Sequence, residues 1–343
     1  MTIKKQWNLH AHAVIAAWFV LAAAVAGMPN VAAAQQTDVS IGVNRNLLFV
    51  PAWIAKERGF YEKHGLNVTL QEVGGGAELR TAILSGAVQF IVQSPEGSAP
   101  LYVQGQRLVN VVATQGKLNW ALVLGKQHDG KVNSGDLSAL KGMTFGVTGR
   151  GSGGDMQLQA LLRRGGLVPD QDVQIVAVGQ YAAGIAAMQE GQIDGIMAVE
   201  PATAQALDAG GFVLVDYGQG NAYPGSDSVP MGALATTGEY LASNEPVARA
   251  VVESVVDAMM FIREDPAWSA EYIAKLSGLT VEQARRIVDK ELVENSPVIS
   301  EEGWNTLVGL LKEGGVLKVD VPYAEVVATQ FADIWARYSK SAD

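Results

Sequence analysis

The chain predicts an α/β fold of two lobes, a clamshell with hinge strands that the backbone crosses twice and a helical C-terminal region. Three observations predict it. Short apolar strands alternate with helical patterns in two successive sets, which implies largely parallel sheets covered on both faces. A polar, glycine-containing stretch at 125–136 and a turn-forming segment at 217–228 interrupt the alternation, as crossings between lobes would. From Pro246 onward the pattern is helical.

The first unit carries the most information. Val39, Ile41 and Val43 alternate as a strand and run into the polar corner Asn44-Arg45-Asn46. A helix with the apolar face Phe49, Trp53 and Ile54 follows, and Gly59 and Gly65 stand where helix ends favour positive φ. Val68, Leu70 and Val73 form the next strand. This βαβ unit sets an arginine, two amides and a helix N-terminus at the carboxyl end of its first strand, the edge at which open α/β sheets bind small molecules. Arg45, Asn46 and Phe49 are therefore candidate ligand contacts.

The elements continue with a helix from about Ala77 to Leu84, a strand at 88–92, a helix from about Glu96 to Val103, and strands at 108–113 and 120–124. The second set has strands at 143–147, 173–176, 193–199 and 212–215, with helices near 156–164, 182–190 and 202–209. A strand at 231–236 leads back to the first lobe. Helices are then expected at 247–262, 267–276, 281–292, 302–312 and 323–338, with Thr280 and Ser300 as N-caps. The lobes accordingly read as 35–124 with 229–343, and 125–228.

The first 34 residues read as an export signal. Lys4 and Lys5 precede an uncharged run from Ala13 to Met28, and Ala32-Ala33-Ala34 offers a cleavage site before Gln35. A retained anchor is the rival, although a spanning helix needs about 20 apolar residues. Cleavage leaves 309 residues, more than the roughly 250–300 at which one core stops growing, so two domains are expected. It also leaves 23 basic and 35 acidic residues, a net charge near −12 that argues against a basic nucleic-acid surface. With no cysteine, disulfides, thiolate metal sites, a cysteine nucleophile and a lipid anchor are excluded. His64, beside a helix-terminal glycine, and His128, in a polar loop, read as solvated, so neither metal nor catalytic triad is expected.

Gly149-Arg150-Gly151-Ser152-Gly153-Gly154 satisfies Gly-x-Gly-x-x-Gly between a strand and a helix. A dinucleotide site also needs an acid at the far end of the next strand. Asp170 and Asp172 precede that strand, and Ala177-Val178-Gly179 beyond it carries none. The turn serves an anion better: backbone N–H groups converge at a helix N-terminus, with Arg150, Ser152 and Gly153 beside them. An ordinary βα turn with Arg150 in solvent is the alternative.

Gly75 and Gly76 repeat that logic in the other lobe. Ser94 and Glu96, after the third strand, read either as a helix cap and its dipole complement or as ligand contacts. Gln115 and Glu200 stand at equivalent strand ends, and Tyr181 joins Phe49 as an aromatic candidate. Trp53, Trp120, Tyr217 and Tyr223 are weaker ones. A cleft containing Glu96 or Glu200 would favour a zwitterion over a bare anion. No carboxylate pair, nucleophile or base stands at a catalytic spacing, so no catalytic residue and no cofactor are expected.

Pro51, Ala55-Lys56-Glu57-Arg58-Gly59-Phe60-Tyr61 and Gly65-Leu66 together resemble the first βαβ unit of the sulfonate, nitrate, taurine and thiamine-precursor group of solute-binding proteins. The resemblance runs from about Val39 to Tyr338. It implies a periplasmic-binding-protein-like clamshell of type II, a monomer that carries a small anion to an ABC permease in the inner membrane. A thiamine precursor or other heteroaromatic is the alternative ligand, and an exported α/β enzyme holding a phosphate on the Gly149–Gly154 turn is the alternative class. The related yeast pyrimidine synthases carry a cysteine-rich motif that this chain lacks, so their activity is not implied.

Overall fold

The computed structural model describes residues 36–133, 136–219 and 228–340. The expected signal and Tyr223 lie outside them. Ten strands form two five-stranded sheets. The first contains β1 (Thr37–Val43), β2 (Leu66–Glu72), β3 (Phe90–Gln93), β4 (Leu108–Gln115) and β10 (Gly232–Thr237), in the order β2-β1-β3-β10-β4. The second contains β5 (Ala121–Leu124), β6 (Thr144–Val147), β7 (Gln174–Ala177), β8 (Gly195–Ala198) and β9 (Phe212–Asp216), in the order β7-β6-β8-β5-β9.

The two sheets are built alike. β1 pairs in parallel with β2 and β3, and β6 with β7 and β8. Each sheet also holds one antiparallel strand next to its edge: β10 between β3 and β4, and β5 between β8 and β9. Both are the first strands laid down after a crossing. This corrects the expected boundary at 124, since β5 pairs within the second sheet and the chain leaves the first sheet before Ala121. A fully apolar strand such as Ala121–Leu124 fits a buried position in either sheet, so composition could not assign it.

Most helices fall where periodicity puts them. Gly59 and Gly65 adopt φ of 71° and 76°, which L side chains rarely take. Thr280 forms a capping box with Gln283, and the Ser300 hydroxyl accepts from the Gly303 amide. The expected helix over 323–338 is instead broken into Tyr323–Val326, a 3-10 turn at Thr329–Phe331, and Ala332–Lys340. The break has a use. Val327 is extended and bridges Asn110 of β4, while the Asn110 amide donates to the Val326 carbonyl at 3.1 Å. Pro297 accepts from the Ala113 amide. β4 is an edge strand, and the C-terminal region covers its exposed backbone groups.

The same region is tied to the first unit through Asp257, whose carboxylate is 4% exposed on the Glu245–Glu264 helix. It accepts from Lys63 at 2.8 Å, His64 at 3.0 Å and Arg337 at 2.9 Å. His64 also lies 3.2 Å from Glu253, so it is packed among carboxylates rather than solvated as expected. His128 is corrected likewise, bonding Asp194 at 2.7 Å. Neither interaction was legible locally, because both partners are distant in sequence. Burial works to raise the Asp257 pKa, and the bonds from Lys63 and His64 outweigh it, holding the carboxyl below its ordinary range.

A depressed carboxyl stabilises the fold above its unfolded pKa, and that contribution is lost as pH falls through the folded value. Asp257→Asn should cost about 1.5–3 kcal/mol at pH 7, the range for a hydrogen-bonded charge. Denaturant titrations of parent and variant should converge as pH falls below about 4; a gap that persisted there would point to packing instead.

Candidate functional site

A cavity of about 130 Å³ lies between the two sheets, at the carboxyl ends of their parallel strands. Asn44, Arg45 and Asn46 follow β1; Gly74, Gly75 and Gly76 follow β2; Gln93 and Ser94 end β3. From the second sheet come Thr148 after β6, with Ser152 and Gly153 beyond it, and Gly179, Gln180 and Tyr181 after β7. Leu48, Phe49, Leu79 and Trp120 supply the apolar wall.

Three helices begin at this cavity: Gly76–Leu84, Gly153–Arg164 and Tyr181–Gln189. Each presents the partial positive charge of its N-terminus. Ser152 caps its own helix, accepting from the Asp155 amide at 3.3 Å, whereas Gly75 and Gln180 make no side-chain cap bond. Free N–H groups at a helix start are donors for a negatively charged oxygen.

Two cations line the cavity, and Asp, Glu, Lys and His do not, among the described residues. Arg45 is the less available cation. It is 55% exposed and held by Glu72 through bonds of 2.9 and 2.7 Å. That pairing raises the arginine pKa and lowers the carboxyl's. Arg80, from the second turn of the Gly76–Leu84 helix, donates across the cleft to the Gly151 carbonyl. It threads between glycines: a Cβ on Gly97 would stand 2.8 Å from Arg80 Nη1. Burial lowers the Arg80 pKa, and the nearby Glu96 charge opposes that. Sequence reasoning missed this residue. Nothing marks one arginine on a helical face, and the only usable signal was its position one turn beyond the Gly74-Gly75-Gly76 run.

Of the residues expected at the site, Arg45, Asn46, Phe49, Gly75, Gly76, Ser94, Ser152, Gly153 and Tyr181 line the cavity. Asn46 also caps the Leu47–Phe49 turn, accepting from the Leu48 amide at 3.0 Å. Burial raises the Tyr181 phenol pKa. Four residues stand elsewhere. Arg150 turns away from the cleft to Asp170, at 2.9 and 2.8 Å, and to the Ile175 carbonyl at 2.9 Å. The acid twenty positions on thus holds the turn's own arginine. Gln115 is buried, and its neighbour across the sheet is Gly232 of β10. Glu200 lines a separate crevice between the Ala202–Asp208 helix and the Val281–Leu292 segment, where it accepts from the Ala204 amide at 3.2 Å. Burial raises its pKa. Tyr217 belongs to the core, its hydroxyl donating to the Gln157 carbonyl.

Glu96 is the fourth. It is wholly buried, one layer behind the cavity wall: a Cβ on Gly153 would meet its Oε1 at 2.7 Å and Ser94 Oγ at 2.5 Å. Neither carboxylate oxygen has a hydrogen-bond partner among the described residues. Burial pushes the carboxyl pKa up to about 7, against the opposing pull of its own backbone amide, Gln157 and Arg80. Three more buried groups at the cavity lack partners: Asn44 Oδ1, Gln93 Oε1 and Trp120 Nε1. The first two are acceptors whose amide nitrogens are already engaged, by Gly74 and Ser98.

Known proteins share this fold. The periplasmic nitrate-binding protein NrtA of Synechocystis is 18% identical with a TM-score of 0.71, covering 90% of each chain. The alkanesulfonate-binding protein SsuA of Xanthomonas axonopodis, solved with MOPS bound, is 20% identical with a TM-score of 0.69 over 86% of this chain and 99% of its own. YtlA of Bacillus subtilis, assigned as a binding protein, is 23% identical over 85% of this chain and 87% of its own. The NMT1-like family model matches residues 32–277, and the chain belongs to that family.

Proposed function

We propose that this protein is the solute-binding component of an ABC importer, exported to the periplasm, and that it holds a small anion between its lobes. The observation that carries the reading is the charge of the cavity: three helix N-termini and two arginines converge on it, and no described lining residue is acidic. Such a site favours a sulfonate, nitrate or carboxylate even on a protein of net charge −10, because local donors outweigh distant surface charge. Structural likeness to nitrate- and sulfonate-binding proteins supports the same class. The matched proteins are binding proteins, which supports binding over catalysis. Among the described residues no helix is long and apolar enough to cross a membrane; the likeness to substrate-binding proteins of importers supports a separate permease as the partner.

A second reading has its own support. Asn44 Oδ1, Gln93 Oε1 and the Trp120 N–H are buried without partners beside Phe49 and Tyr181. A planar neutral heterocycle with N–H donors would satisfy the two oxygens and stack on the aromatic rings. A thermal-shift screen separates the readings, since a ligand stabilises in proportion to the logarithm of its concentration over Kd. Nitrate, methanesulfonate, taurine and acetate should raise Tm; stabilisation by pyrimidines alone would favour the heterocycle.

Arg80→Ala should weaken binding of the best anion about 10- to 100-fold, the loss of a charge-assisted bond of about 1.5–3 kcal/mol. Arg80→Lys should recover part of this, lacking the planar fork. Arg150→Ala should leave calorimetric affinity unchanged, because its guanidinium is spent on Asp170. A larger loss at Arg150 than at Arg80 would overturn the assignment.

Because the Arg80–Gly151 bond joins the two lobes, ligand should favour the closed arrangement. Small-angle scattering should show a smaller radius of gyration with saturating anion at constant far-UV circular dichroism. Superimposable curves would argue for a rigid protein.

A further inference from the structure

We propose, resting on the anion reading above, that binding of the anion is coupled to uptake of a proton by Glu96. The carboxyl group lies where such coupling arises. It belongs to the Pro95–Gly97 turn of the first lobe and abuts Gly153, the first residue of the Gly153–Arg164 helix in the second. Ser94 and Gly153 line the cavity directly in front of it. An anion resting on these two residues and on Arg80 would stand close to the Glu96 oxygens, and because Glu96 is wholly buried the two charges would be only weakly screened.

The surroundings of Glu96 leave few other charges to absorb that repulsion. From the Gly76–Leu84 helix it faces Arg80, the only cation that attracts it appreciably. From the Gly153–Arg164 helix it faces Gln157, a buried neutral amide whose side chain favours the ionised carboxylate. Asp155 on that helix turns instead to the Gly151 amide and to Gln159. The Glu301–Glu313 helix, also packed on this turn, buries Gly303, Trp304, Leu307, Val308, Leu310 and Leu311 and no charge. The Tyr217 phenol is the remaining titratable neighbour, and burial keeps it protonated. An anion that engages Arg80 therefore draws off the one cation that favours the ionised carboxylate, leaving it only its own backbone amide and Gln157, and adds a like charge beside it. Both effects favour the protonated carboxyl.

The direction of the pH dependence follows. In the closed arrangement burial pushes the Glu96 carboxyl up to about 7; opening in the free protein relieves part of that burial and lowers it, and the bound anion moves it higher. Below the pKa of the free protein the carboxyl is protonated in both states and affinity is independent of pH. Above it the free protein loses the proton that the complex must recover, so affinity falls about tenfold per pH unit until the pKa of the complex is reached. A neutral ligand imposes no such dependence.

The test is calorimetric titration of the full mature protein with nitrate and with methanesulfonate between pH 6 and 9. Two cationic buffers of different ionisation enthalpy, Tris and triethanolamine, avoid competition for an anion site. At pH 8 the parent should show a binding enthalpy that differs between buffers by the amount for nearly one proton taken up, and its affinity should fall from pH 7 to pH 8.5. Glu96→Gln, which keeps shape and burial, should bind with no dependence on buffer or pH and more tightly than the parent at pH 8.5. If Glu96→Gln does not fold, the buffer dependence of the parent decides alone. Parent affinity and enthalpy that ignore pH and buffer would overturn the coupling and leave the anion reading standing. Failure of both anions to bind either protein at any pH would overturn the anion reading, and the coupling with it.

Discussion

A parallel strand followed by a helix delivers the helix N-terminus to the carboxyl edge of its sheet, and the whole cleft depends on this constraint. The edge of the first sheet contributes the start of the Gly76–Leu84 helix, and the edge of the second contributes the starts of Gly153–Arg164 and Tyr181–Gln189. Facing one another, they enclose a region of positive potential that neither lobe holds alone. The inserted strands β5 and β10 make this facing possible, since each binds the chain into the opposite sheet immediately after a crossing.

The donors at this edge are of two kinds. Glycine-rich turns bring backbone N–H groups forward, and they do so only where no side chain intervenes. A Cβ on Gly153 would collide with Ser94 and Glu96 of the other lobe, so this position sets how closely the lobes approach, whereas one on Gly97 would collide with Arg80 and Gln93 of its own lobe. The side-chain donors are more selective in their effect. Arg45 is largely neutralised by Glu72 in solvent, a pairing of small net value. Arg80 spends one bond on a carbonyl, which leaves its charge uncompensated by any bonded acid. The electrostatic character of the cavity therefore rests more on Arg80 than on the arginine at the first strand end.

Much of this was legible in sequence, and the boundary of legibility has a physical cause. Strand-end turns such as Asn44–Asn46, Gly74–Gly76 and Ser152–Gly153 announce themselves because backbone geometry and strand polarity together decide where they lie. Side-chain direction is decided by distant partners. Arg150 shares a turn with Ser152 yet points to Asp170, twenty residues on, and Glu200 follows a parallel strand yet faces the Val281–Leu292 segment. Arg80 shows the converse, since a second-turn position carries no motif and its place at the cavity emerges only where the other lobe supplies Gly151. The helical region was readable in its periodicity, but its break at Val327 answers the open edge of β4, which local patterning does not reveal.

On the reading proposed above, closure and recognition are physically the same event. The bond from Arg80 to Gly151 and the contact of the Ser94–Glu96 turn with Gly153 both join one lobe to the other, so both exist only when the cleft is shut. Shutting it without a ligand buries the Glu96 carboxylate against a helix start with no hydrogen bond to either oxygen, which is costly for a charged group. On the anion reading the unfavourable contact would restrain spontaneous closure, while the helix termini and Arg80 would favour closure over a bound anion. A solute-binding protein needs that asymmetry, because a ligand shifts a conformational equilibrium only by the difference in its free energy of interaction with the two states. On the anion reading that difference comes from the helix starts and Arg80, which meet the ligand from both lobes only in the shut arrangement, while Glu96 sets the cost that the ligand has to offset.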